Sequence, residues 1–140
     1  MRDEGGGMRD ADRQDLRKRT KEFALRIIKL YVALPKTTEA QVLGKQVLRS
    51  GTSVGAHYRE ACRAKSNADF ISKIEGALQE LDETLYWLEL LAEANIIESS
   101  RLDSLERETK ESIAMFVTMA KGVKQRKVAV VIPHPSALIP

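Results

Sequence analysis

Residues 39–64, EAQVLGKQVLRSGTSVGAHYREACRA, read as one helix with almost no side left for water. At about 3.6 residues per turn, Leu43, Val47, Ser50, Val54, Tyr58 and Ala61 fall on one mostly apolar stripe. Gly44, Gly51, Gly55 and Cys62 form a second stripe, of small residues. Gln46, Arg49, Ser53, His57 and Glu60 form a third, polar throughout. A glycine inside a helix costs about 1 kcal/mol relative to alanine. Glycines are therefore expected here only where another backbone comes close. The polar stripe needs partners as well, because a buried donor or acceptor without one costs about 1–3 kcal/mol. The pattern predicts a helix that packs within its own bundle and also against a neighbouring subunit.

Apolar spacing predicts three further helices around this one. Residues 1–10 are a polar, Gly-rich lead expected to be disordered. The first helix covers residues 11–34 and presents Leu16, Phe23, Ile27, Ile28, Leu30, Tyr31 and Leu34. Pro35 ends it, since the residue before proline avoids the helical region. Thr38 is the expected N-cap of the second helix, which ends near Lys65. Ser66, three residues before Asp69, starts a third over residues 67–94, with Phe70, Ile74, Ala77, Leu81, Leu88 and Leu91 inward. Ser99 or Ser100 caps a fourth that runs to about Arg126 through Leu102, Leu105, Ile113, Phe116, Val117, Ala120 and Val123. Short loops between long helices predict an all-α fold, an up-down-up-down antiparallel four-helix bundle over residues 11–127. Residues 128–140 read as a Pro-rich apolar tail, disordered or, alternatively, docked onto a neighbour.

Several function classes are excluded at this level. No apolar run approaches the roughly 20 residues a membrane span needs, and no secretory signal is visible in MRDEGGGMRD. The single cysteine, Cys62, fits a reducing, cytoplasmic setting and reads as a packed thiol. His57 and Glu60 are the one His–carboxylate pair at helical spacing, and a bundle metal site would need ligands from further helices. No metal, no cofactor and no catalytic constellation is expected, so the chain is read as a non-enzyme.

The run QVLRSGTSVGAHYREACRAKSNADFISKIEGALQELDETLYWLELL resembles the four helix bundle protein family, whose members are encoded within intervening sequences of large-subunit ribosomal RNA genes, among other places. Gln46, Arg49, Ser53 and Glu60 on the second helix match that family, as do Phe70, Ala77 and Glu80 on the third. The chain departs from it at His57, near where the family shows Asn, and at Ala61, where it shows Gly. The resemblance implies a small cytoplasmic bundle that assembles as a ring-like homopentamer. The chain is also similar to accessory proteins of diversity-generating retroelements, which share the fold and bind reverse transcriptase and nucleic acid.

Charge distribution points to a binding surface. The net charge is +3, but residues 13–26 carry six basic and two acidic side chains, and residues 121–127 carry four basic and none acidic. Residues 57–73 add four basic against two acidic, whereas residues 74–120 hold 11 acidic and three basic. In an up-down-up-down bundle the three basic segments meet at one end. Arg17, Lys18, Lys21, Arg59, Arg63, Lys65, Lys124, Arg126 and Lys127 are the candidate contacts to RNA or DNA phosphates. The alternative is a protein-interaction or structural adaptor whose basic end meets an acidic protein partner. Of the few aromatic residues only Tyr58 and Phe70 fall near that end, so sequence-specific reading of single strands is not expected.

Overall fold

The computed structural model describes residues 9–131, with side chains through Gln125; the polar lead before residue 9 and the proline-containing part of the tail lie outside the described residues. Four α-helices follow one another: α1 (Asp10–Ala33), α2 (Thr38–Cys62), α3 (Asn67–Glu93) and α4 (Asp103–Val131). The fold is all-α, a four-helix bundle in which α1 packs on α2, α2 on α3 and α3 on α4. The fourth seam, between α1 and α4, touches at few places. In this order α1 and α3 stand at opposite corners.

Local chemistry sets the helix ends. α1 stops at Ala33 because Leu34, ahead of Pro35, is extended, with ψ 151°. The cap of α2 is Thr37, one residue before the expected Thr38, and its side chain accepts the Ala40 N–H at 3.4 Å. Ser66 caps α3 as expected, accepting the Asp69 N–H at 3.1 Å. Asn95 takes the left-handed conformation, φ 57°, that closes the end of α3; asparagine tolerates it better than most residues. Neither Ser99 nor Ser100 caps α4 directly. They sit in a 3-10 turn, Ser99–Arg101, held by the buried Leu102 behind it. At the other end α4 continues past Arg126 to Val131. Val and Ala are tolerated in a helix, and the next proline is Pro133.

The core runs the length of the bundle: Phe23, Ile27, Val47, Val54, Tyr58, Ile74, Leu81, Leu88, Leu91, Leu102 and Phe116 are all buried. Each large side chain of this kind contributes about 1.5–3 kcal/mol relative to leaving it in water. Tyr58 stacks on Phe116 with ring centroids 5.8 Å apart. Its hydroxyl donates to the Arg13 carbonyl at 3.4 Å, joining the start of α1, the end of α2 and α4. Two residues expected on the apolar side, Ile28 and Val117, are instead exposed. On their helices the core direction is already filled by Phe23 and Ile27, and by Phe116 and Ala120.

The small-residue stripe of α2 faces α1 of the same chain. A Cβ added at Gly44 would stand 2.6 Å from Leu34 Cδ1, at Gly51 2.7 Å from Ile27 Cγ1, and at Gly55 3.2 Å from Thr20 Oγ1. On its other side, α2 meets α3 through Ser50 and Thr84, two fully buried hydroxyls 2.7 Å apart. Thr84 passes its own proton to the Glu80 carbonyl at 2.8 Å, which leaves Ser50 as donor to Thr84. Among the described residues no helix is long and apolar enough to cross a membrane.

Gly51→Ala is expected to destabilise this fold although alanine is the better helix former. Ile27 is fully buried and branches next to its backbone, so it cannot swing away from a new methyl group. The overpacking cost of about 1–3 kcal/mol outweighs a propensity gain of about 1 kcal/mol. Urea denaturation then gives a lower midpoint at unchanged slope; an equal or higher midpoint contradicts the packing argument.

Candidate functional site

The polar stripe of α2 turns towards α3. Arg49 donates through Nη1 to both carboxylate oxygens of Glu80, at 3.1 and 3.3 Å, and through Nη2 to Glu83 Oε1 at 2.6 Å. Bonding first to Glu83 and then to Glu80, the guanidinium holds its proton more tightly than a free arginine. His57 Nε2 lies 3.7 Å from Glu80 Oε2. The other ring nitrogen, Nδ1, is buried with no hydrogen-bond partner, against Gly76 of α3. A Cβ at Gly76 would stand 2.9 Å from that nitrogen, so α3 carries a glycine where the imidazole needs the room. Ser53 donates to the Arg49 carbonyl of its own helix at 2.7 Å. Glu60 faces Lys73 of α3 at 3.6 Å rather than His57, and Gln46 is exposed. Arg49 itself is half-exposed, so within one subunit this is a surface clamp between two helices and not a buried ion pair.

The basic residues divide between two seams. Arg17 lies near the Tyr58 hydroxyl, beside Arg13, which brings the first half of α1 to the last turn of α2. Lys18 and Lys21 continue along the exposed side of α1. Arg59 occupies the last turn of α2, Arg63 is its C-cap residue, and Lys65 stands in the turn to α3. Among the described residues none of Arg17, Lys18, Lys21, Arg59, Arg63 and Lys65 makes an ion pair. Lys124 is on the far side, bound to Glu75 of α3 at 2.8 Å. Arg126 and Lys127 belong to the α4 helix, but their side chains lie outside the described residues.

One cation of the basic segment is committed elsewhere. Arg19 donates from Nε to Glu108 Oε2 at 2.6 Å, and from Nη2 to Glu108 Oε1 and Glu111 Oε1, each at 2.8 Å. This fork is the main polar tie across the thin α1–α4 seam, helped by Arg26 donating to Ser104 at 2.8 Å. Charge counting misses it. The signal available in the sequence is a pair of acids one turn apart, Glu108 and Glu111, on a helix that must face α1. Gly76 was equally legible, as a costly glycine in mid-helix.

The family model described as 23S rRNA-intervening sequence protein matches residues 13–118. A solved structure from Bacteroides thetaiotaomicron VPI-5482, a protein of unknown function from the S23 ribosomal protein family, is similar over 78% of this chain and 97% of its own. The two are 40% identical, with a TM-score of 0.73. Among curated proteins none matches.

The clamp geometry sets the sizes of two substitutions. Arg49→Ala removes a half-exposed ion pair shared by two carboxylates and is expected to cost about 1 kcal/mol. Glu60→Ala breaks only an exposed 3.6 Å contact and should stay within about 0.5 kcal/mol of the native protein. Thermal unfolding of the two variants checks the order. Equal losses of several kcal/mol would mean that a second chain buries the stripe.

Proposed function

The chain belongs to the 23S rRNA-intervening sequence protein family, and from that premise we propose that it is a non-enzymatic cytoplasmic scaffold that binds nucleic acid, RNA first, through its basic end. The observation that carries this reading is the run of cations without ion-pair partners along the α1–α2 seam and the turn beyond it: Arg17, Lys18, Lys21, Arg59, Arg63 and Lys65. Lys124, Arg126 and Lys127 add positive charge on α4 at the same end, Lys124 from across the bundle and paired with Glu75.

The chemistry is phosphate contact. Lysine and arginine on an exposed helical end offer point charges and forks to a backbone, and of the two aromatic residues near that end Phe70 is packed against the core. Tyr58 is consumed by Phe116 and the core. Binding is therefore sequence-tolerant. Assembly into a ring-like homopentamer, which the family resemblance implies, would repeat the basic end around one rim and multiply weak contacts by avidity.

Titration of the purified protein with labelled RNA and DNA at near-physiological salt tests the reading. Affinity is expected to fall with salt, with a log–log slope of about −0.7 per phosphate contact on single strands. Lys18→Ala or Arg63→Ala should weaken all sequences alike and flatten the slope by about one contact. Absence of binding up to about 100 µM, the weak limit of non-specific association, overturns the reading and leaves an adaptor for an acidic protein.

A further inference from the structure

α1 carries an apolar stripe that nothing in the subunit covers. Leu25, Ile28 and Val32, at i, i+3 and i+7, are 53%, 41% and 69% exposed and point away from the buried Phe23 and Ile27. Lys21 and Lys29 bracket the stripe, and neither makes an ion pair among the described residues. The opposite side of the bundle carries a second apolar patch: Tyr86 on α3, 53% exposed, and Val117 on α4, 40% exposed. Asp82 and Glu89 bracket Tyr86, one turn either side, and they too make no ion pair among the described residues. Nearby, burial together with Glu89, Asp103 and Glu93 raises the Glu106 carboxyl above its usual range, against an opposing pull from Lys110. One flank is thus apolar in a basic field and the other apolar in an acidic field.

The two flanks also stand at the same height along the bundle. Residue 51 of α2 packs on Ile27 of α1, while residue 50 bonds Thr84 of α3. Ile28 and Tyr86 are neighbours in sequence of those two contacts. Patches that differ and share one level suit head-to-tail contact between copies, which closes into a ring when the rotation between them closes. α2, by contrast, directs its small residues at α1, its buried apolar residues at the core and Arg49 at α3, and it carries Val42, 56% exposed, among the exposed Lys45 and Gln46. We propose that the outer flank of α1 packs head-to-tail on the outer α3–α4 flank of a second copy of this chain. Leu25, Ile28 and Val32 meet Tyr86 and Val117, with Lys21 and Lys29 towards Asp82 and Glu89. This rests on the oligomeric part of the reading above and assigns its contact surface to α1, α3 and α4 instead of α2.

Two blocked variants test it, each confirmed helical by circular dichroism. One carries Ile28→Asp and Val32→Asp; the other carries Tyr86→Asp and Val117→Asp. By light scattering the native chain is expected to be an oligomer and each variant alone a monomer. An equimolar mixture gives a one-to-one heterodimer, because each variant keeps the flank the other lost. Variants that assemble like the native chain overturn this contact surface while leaving the oligomer standing. So does a homodimer of either variant, or a mixture that stays monomeric. A monomeric native chain removes the oligomer itself, a separate result. Should an aspartate variant fail to fold, the exposed swap Lys29→Glu serves. It is expected to shift dissociation to higher concentration, and Glu89→Lys added in the same chain to reverse that shift; no shift overturns the proposal.

Discussion

The close approach of α2 to α1 is the constraint on which the remaining structure depends. Gly44, Gly51 and Gly55 let Tyr31, Leu34, Ile27 and Thr20 lie directly on the α2 backbone. That contact fixes the rotation of α2. Once the glycines face α1, Val47, Val54 and Tyr58 must face the core, and Arg49 and His57 must face α3. The helix-propensity cost of the glycines is offset by dense packing, as protein interiors require.

Polar contacts then finish what packing begins. Ser50 and Thr84 form a buried pair that sets the register of α2 against α3, and the Arg49 clamp on Glu80 and Glu83 lies over it. Arg19 does the corresponding work between α1 and α4, where few apolar contacts exist. Both clamps are partly exposed, so they select a geometry more than they stabilise it. Arg17, Lys18, Lys21, Arg59, Arg63 and Lys65 take no part in either clamp and make no ion pair among the described residues.

The helices were legible because their signals are local. Pro35, Ser66 and the heptad-like run from Phe70 to Leu91 each act within a few residues, and the ends they mark fall within three residues of those observed. The three stripes of α2 were legible too, but not what each one meets. Spacing shows that Gly51 and Arg49 face different ways, yet only the packing order shows that α1 and α3 are the recipients. Pairing between distant segments, such as Arg19 with Glu108 or His57 with Gly76, has no local signature. The exposed stripe Leu25–Ile28–Val32 was blurred for a related reason. Apolar residues cover most of the second half of α1, residues 23–33, and periodicity alone assigned Ile28 to the core.

The central claim is that α2 is completed within its own subunit, so that recognition falls to the outer flanks and the basic end. Hydrogen exchange of the α2 amides across a wide dilution series tests this most directly. Protection of residues 44–58 is expected to stay unchanged as any assembly dissociates, since their partners on α1 and α3 remain in place. Loss of that protection on dilution would contradict the account, because α2 would then owe its stability to a second chain.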